Sequence, residues 1–232
     1  MARLPRPVYF RVDSLVMHCG KAPEQIEEDL RLGVARVGGW LREPSYFESY
    51  LYATQTLIEK GREERNLDDL GVPAFYLQRH TLELLLKSVL SWLYCIDDLQ
   101  KQLVDPDFQP DVVTREKALH KHNHRKLLEM VLTSAAALKL PRPPIALTNL
   151  VERFSSLEST DTWARYSTSR AKGRENVEHL KDEVVIPLVE LQASLEEVAA
   201  IVIMREVDDP SYENALASEW EALNIELDHR GR

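Results

Sequence analysis

Glycine is scarce in this chain, 8 in 232 residues, where an average protein of this length carries about twice as many. Few glycines mean few tight turns, which favours long helices over many short strands. Cysteine is scarcer still. Cys19 and Cys95 are the only two, which excludes a disulfide framework and a four-cysteine zinc site. No apolar run reaches the roughly 18 residues a membrane span requires. No early segment combines a basic start, an apolar stretch and a small-residue cleavage site, so a cytoplasmic protein is expected. The phosphate-binding loop Gly-x-x-x-x-Gly-Lys, the dinucleotide loop Gly-x-Gly-x-x-Gly, the nucleophile elbow Gly-x-Ser-x-Gly and the zinc helix His-Glu-x-x-His are all missing, and so is any DNA-binding motif. No cofactor and no metal are expected.

What is present is ordinary for a folded chain: 44% hydrophobic and 29% charged residues, which rules out disorder as the main state. The formal net charge is −9. A nucleic-acid site would have to be a local patch on such a chain. The acid is uneven. Residues 205–232 hold eight acids against three bases, a local charge of −5. Two stretches run the other way. Residues 114–126 set Arg115, Lys117, Lys121, Arg125 and Lys126 against Glu116 alone, and 164–174 carry Arg165, Arg170, Lys172 and Arg174 with no acid.

Periodicity predicts an all-α bundle of six to eight helices. Residues 8–13 alternate apolar and polar and give the one strand signal. Pro23 opens a short helix ending near Gly33. A second follows Pro44, with Phe47, Tyr50, Leu51, Thr54, Leu57 and Ile58 on one face and Gly61 as its stop. Residues 62–72 read as a charged connection. Pro73 then starts the longest helix, about 74–102, apolar on most of its circumference and therefore central. Further helices are expected at 124–140, after Pro144, and along 177–204, where Pro187 either kinks one helix or starts a second. A last short helix ends near Leu227. The 74–102 and 177–204 helices are the expected core partners.

The central helix carries one polar stripe: Tyr76, Arg79, His80, Glu83, Lys87 and Tyr94. Glu83 stands four residues from both Arg79 and Lys87, so the three can pair along the helix. On so apolar a helix they either pair inside or line a groove, because a buried unpaired charge is costly. His120, His122 and His124 would share a face on a strand but splay apart on a helix, and no Asp, Glu or Cys stands at zinc spacing. Arg115 and His120 form an Arg-x-x-x-x-His pattern. The basic run 165–174, with Trp163 and Tyr166, could hold phosphate by charge and a base by stacking, or simply be a solvated loop. Cys95 falls on the apolar stripe and reads as core.

Residues 73–94 resemble the first long helix of HEPN-superfamily domains, with Glu83-Leu84-Leu85-Leu86-Lys87 matching their Glu-apolar-apolar-apolar-Lys. His122-Asn123-His124-Arg125-Lys126-Leu127 is similar to the His-Asp-Leu-x-x-Leu that often opens the second helix. Arg165-Tyr166 before the last long helix matches in order. The resemblance covers about residues 73–205. It implies an N-terminal helical extension over 1–72, a HEPN-like bundle over 73–205 and an acidic C-terminal helix and tail over 206–232. It also implies a homodimer, and a partner protein in bacterial antiphage defence or a toxin–antitoxin pair, with RNA or a nucleotide as admissible ligand. RNase members of the family carry Arg-x(4–6)-His late in the bundle. Here Arg165 has no histidine within six residues, and His179 stands fourteen away. The resemblance therefore implies the non-catalytic branch, with Arg79, Glu83, Lys87, His122, Arg165, Tyr166 and Arg170 as ligand-binding candidates. The alternatives are a metal-independent endoribonuclease using His122 or His120 as base and Arg115 or Arg165 on the phosphate, and a purely structural interaction protein.

Overall fold

A computed structural model describes residues 22–35, 46–157, 168–169, 177–178, 183–204 and 209–230. Among these residues there are eight helices: α1 (Pro23–Leu32), α2 (Tyr46–Glu64), α3 (Leu67–Val104), α4 (Val112–Leu119), α5 (His124–Ala137), α6 (Ile145–Leu157), α7 (Leu188–Val202) and α8 (Tyr212–Arg230). Two short strands, β1 (Thr168–Ser169) and β2 (Val177–Glu178), pair antiparallel. The protein is an all-α bundle. The strand signal at 8–13 lies outside the described residues, as do Arg165, Tyr166 and Arg170.

The bundle is built round α3, 38 residues long. Phe75, Leu82, Leu85, Leu86, Leu90, Leu93 and Ile96 are fully buried on it. They fill one arc, and buried Ala74, Thr81 and Trp92 on one side with Arg79 and Glu83 on the other widen it past half the circumference, so neighbours must pack on several sides. Helices α2, α5 and α7 pack on its N-terminal half and centre, and α8 on its C-terminal half. Gln78 Nε2 donates to the Leu188 carbonyl at 2.7 Å, and Gln192 Nε2 donates to the Leu51 carbonyl at 3.2 Å. These two bonds lock α3, α7 and α2 together inside the core. Phe75 stacks on Phe154 of α6 with ring centroids 5.8 Å apart.

Helix α8 runs beside α3 in the same direction. Its first turn meets α3 through Glu213 and Ser88 (2.6 Å), and Arg230 in its last turn donates to the Leu103 carbonyl (2.9 Å). The Tyr212 hydroxyl donates to the Pro141 carbonyl at 3.0 Å, and burial pushes its pKa up to about 12. That bond ties α8 to the proline-rich connection between α5 and α6.

Several expectations of local structure are corrected. Gly61 does not stop α2. It is buried within the helix, and a Cβ there would stand 3.0 Å from Leu67 Cδ2 and 3.3 Å from Leu70 Cδ1. The glycine serves close approach of α2 to α3, and the chain turns instead at Arg65, whose φ is 58°. Residues 62–72 are accordingly not a connection, and Pro73 lies inside α3 rather than at its start. The missing N–H and ring clash of an interior proline cost about 3 kcal/mol. Burial of Ala74 and Phe75 just after it, and of Leu67 against the core, holds the helix through it. Helix α4 was not foreseen. Its signal is Asp111, whose side chain accepts the Thr114 N–H at 3.0 Å as a helix cap. Finally, helix α7 starts only after Pro187. Of the two expectations at Pro187, the one in which a helix begins there holds: residues 183–187 are not helical and Val177–Glu178 is a strand, while 179–182 lie outside the described residues. Helix α8 also runs past Leu227, to Arg230.

Candidate functional site

The polar stripe of α3 and the start of α5 meet at one carboxylate. Glu83 is buried at 2% exposure. Its Oε1 accepts from Lys87 Nζ at 2.6 Å, one turn along the same helix, and lies 3.0 Å from His122 Nδ1. Burial pushes the Glu83 pKa upward. The hydrogen bonds from Lys87 and His122, with the charge of both, outweigh that and hold it below the ordinary carboxylate range. An ionised carboxylate only accepts, so Nδ1 of His122 carries the proton in this pair and Nε2 is turned away from Glu83. Lys87 and His122 thus flank one oxygen from two elements.

Arg79 fixes the segment that brings His122 in. It is buried at 4% exposure, and its Nη2 donates to the His122 carbonyl at 3.1 Å. Next in the chain, Asn123 caps α5 by accepting the Lys126 N–H at 3.0 Å. His122 is therefore held by its backbone on one side and its ring on the other, while its side chain stays 54% exposed. The Lys87 side chain is 19% exposed.

Two further histidines stand around this cluster. His124 is buried at 2% exposure, edge-on to Phe154 at 6.3 Å. Burial, aided by the charge of Arg79, lowers its pKa to about 3, so it is a neutral packing group. His80 lies edge-on to Tyr50 at 4.6 Å and stacked on Tyr76 at 6.2 Å. Burial lowers its pKa. The charge of Glu83 opposes this, and those of Lys87, His122 and Arg79 act in the same direction as burial.

The remaining candidates lie elsewhere. Arg115 reaches from α4 to the C-terminal half of α3, where Nη2 pairs with Asp97 at 2.9 Å and Nη1 pairs with Asp98. Its guanidinium also lies 5.1 Å from the Tyr94 ring centre. His120 turns Nδ1 to the Glu116 carbonyl of its own helix, 2.6 Å away. Arg115 and His120 are therefore each engaged within their own surroundings rather than with Glu83. Arg165, Tyr166 and Arg170 are outside the described residues. Among the described residues no group of three His, Cys, Asp or Glu side chains is arranged to hold a metal. No helix there is long and apolar enough to cross a membrane.

A second buried carboxylate escaped the sequence reading. Glu213, in the first turn of α8, is 4% exposed and accepts from Ser88 Oγ at 2.6 Å and from the Met204 N–H at 3.2 Å. Burial pushes its pKa up to about 7 against the pull of those two bonds. In sequence it sits in an acidic tail, where a solvated role is the natural reading. Only the packing of α8 on α3 buries it.

The chain matches no family model, no curated protein and no solved structure.

Proposed function

We propose that this chain is a non-catalytic, HEPN-like binding or assembly module whose ligand site is the groove at Glu83, Lys87 and His122, with Arg79 positioning His122. The reading rests on one observation: a buried carboxylate on the central helix holds a lysine and a largely exposed histidine from another element on one oxygen. Structural pairing alone would need only Lys87. Holding His122 as well orients a polar ring towards solvent, which a binding site uses. Homodimerisation and a setting in antiphage defence or a toxin–antitoxin pair follow from the resemblance.

One feature favours a second reading, a metal-independent endoribonuclease. A carboxylate bonded to Nδ1 leaves Nε2 of His122 as a candidate general base. Against it, Arg115 is occupied by two aspartates. The two readings separate when purified protein is incubated with labelled single-stranded RNA in EDTA. Intact RNA is expected, and cleavage abolished by His122→Ala would replace the proposal with the enzyme. The same variant tests the purely structural alternative. His122 is exposed enough that His122→Ala should melt within a few degrees of the parent; a large loss of stability would mean the ring only braces the fold.

A further inference from the structure

The ligand chemistry of this groove can be taken further, on the reading that it is a binding site. Lys87 donates one N–H to Glu83. Among the described residues its ammonium keeps its other two donors, and His122 keeps Nε2. Arg79 and Lys87 flank Glu83, and the cluster presents its cationic side to solvent, since Glu83 is buried while the Lys87 side chain is 19% exposed and that of His122 54%. All three charges lie close enough to act on His80 and His124. The surface beside His122 has the same sign. Lys121 and Lys126 are both exposed and stand within four residues of it, in a chain whose overall charge is −9. A cationic spot with N–H donors on an acidic protein selects small, highly charged anions over acidic polymers at large, because the rest of the surface repels the latter. Phosphate suits it best, since a compact ammonium donates to one phosphate oxygen while Nε2 accepts from a P–OH group or, with a second proton on the ring, donates to another oxygen.

We infer that Lys87 and His122 together bind a phosphate group, held between the ammonium and the Nε2 edge of the imidazole, with Glu83 and Arg79 as positioning residues.

The test is an NMR titration of the histidine ring signals of the intact chain. The signal of His122 is assigned by its loss in His122→Phe. Inorganic phosphate, a 5′-mononucleotide and a five-nucleotide single-stranded RNA are added in turn at constant ionic strength, and the exposed His120 and His229 serve as internal controls. A saturable shift at His122, absent at both controls, is expected with all three if the phosphate alone is recognised. A response confined to the mononucleotide or to the oligonucleotide would name the source of the phosphate. Lys87→Gln alone would leave Glu83 buried without its ammonium, so the double variant Glu83→Gln/Lys87→Gln is used. It should stay folded and bind at least tenfold more weakly. Calcium chloride added in place of phosphate should leave the His122 signal unmoved; a saturable shift with calcium would mean the groove takes a cation. No saturable shift at His122 with any of the three, or unchanged affinity in the folded double variant, overturns the inference. A flat titration with RNA intact in EDTA leaves the non-catalytic module standing with a ligand of other chemistry. Cleavage of RNA overturns that module whatever the phosphate result.

Discussion

Two buried titratable side chains give the protein an unusual pH response. His124 holds no proton in the folded chain until about pH 3, although an unfolded histidine takes one up near 6.5. Between pH 4.5 and 6.5 its contribution to stability therefore rises with pH, by about 1.4 kcal/mol per unit. Glu213 acts in reverse. It keeps its proton up to about pH 7 when folded and loses it near 4.5 when unfolded. Over the same window its contribution falls with pH at the same slope of about 1.4 kcal/mol per unit. The two cancel, so these groups leave the melting temperature nearly flat from pH 4.5 to 6.5. Below pH 4.5 His124 alone of the two still acts, Glu83 with its lowered pKa acts in the same direction, and stability drops. Replacing one partner exposes the other. His124→Gln should melt progressively lower as pH rises from 4.5 to 7, and calorimetry at four or five pH values would reveal it. A His124→Gln profile as flat as the parent's would mean Glu213 is not held protonated.

At the scale of the element, α3 decides whether the chain folds. Leu85 is fully buried at its centre. Leu85→Asp loses that burial and places a charge in the core, at a cost of about 3–5 kcal/mol, comparable to the whole stability of many domains. No cooperative melting transition is expected, and a variant with the parent's melting temperature would remove α3 from the centre of the bundle. Helix α4 depends on far less. Among its residues only Ala118 is buried, and Arg115 supplies its ion pairs to α3. Arg115→Met should cost about 1–3 kcal/mol through the two aspartates left behind. Hydrogen exchange should quicken in α4 amides first, with α3 retaining its protection. Unchanged exchange in α4 would show that its docking does not rest on Arg115. The local misreadings belong to this scale too. Gly61 and Pro73 are ordinary helix breakers by propensity, and each was overruled by packing between α2, α3 and the core that no local window contains.

At the scale of the molecule, the resemblance carries a prediction about assembly. Light scattering on the purified chain should give at least a dimer of 26.7 kDa protomers. A monomer throughout the micromolar range would count against the HEPN-like reading. The acidic tail, with Trp220 as its apolar anchor, is a natural place to look for such a contact. Within the chain, however, Trp220 packs partly buried against the core, so an interface there would build on its exposed neighbours. Ile225, 53% exposed one turn later, is the first of these to change. Ile225→Glu is expected to leave the melting temperature within a degree or two. A dimer resting on that face would dissociate.

The sequence by itself determined the helical class, the central place of α3 and the polar stripe along it, because these follow from periodicity within one helix. Arg79, Glu83 and Lys87 share a face by their spacing alone, and no other element need be known to see it. Only the tertiary structure decided which side chains complete that stripe. It brought His122 onto Glu83 across 39 residues, turned Arg115 away to Asp97 and Asp98, and buried Glu213 where α8 packs on α3. Sequence spacing orders residues along one helix. Their meeting across helices depends on how buried apolar faces pack, and the pattern of a single chain records that only indirectly.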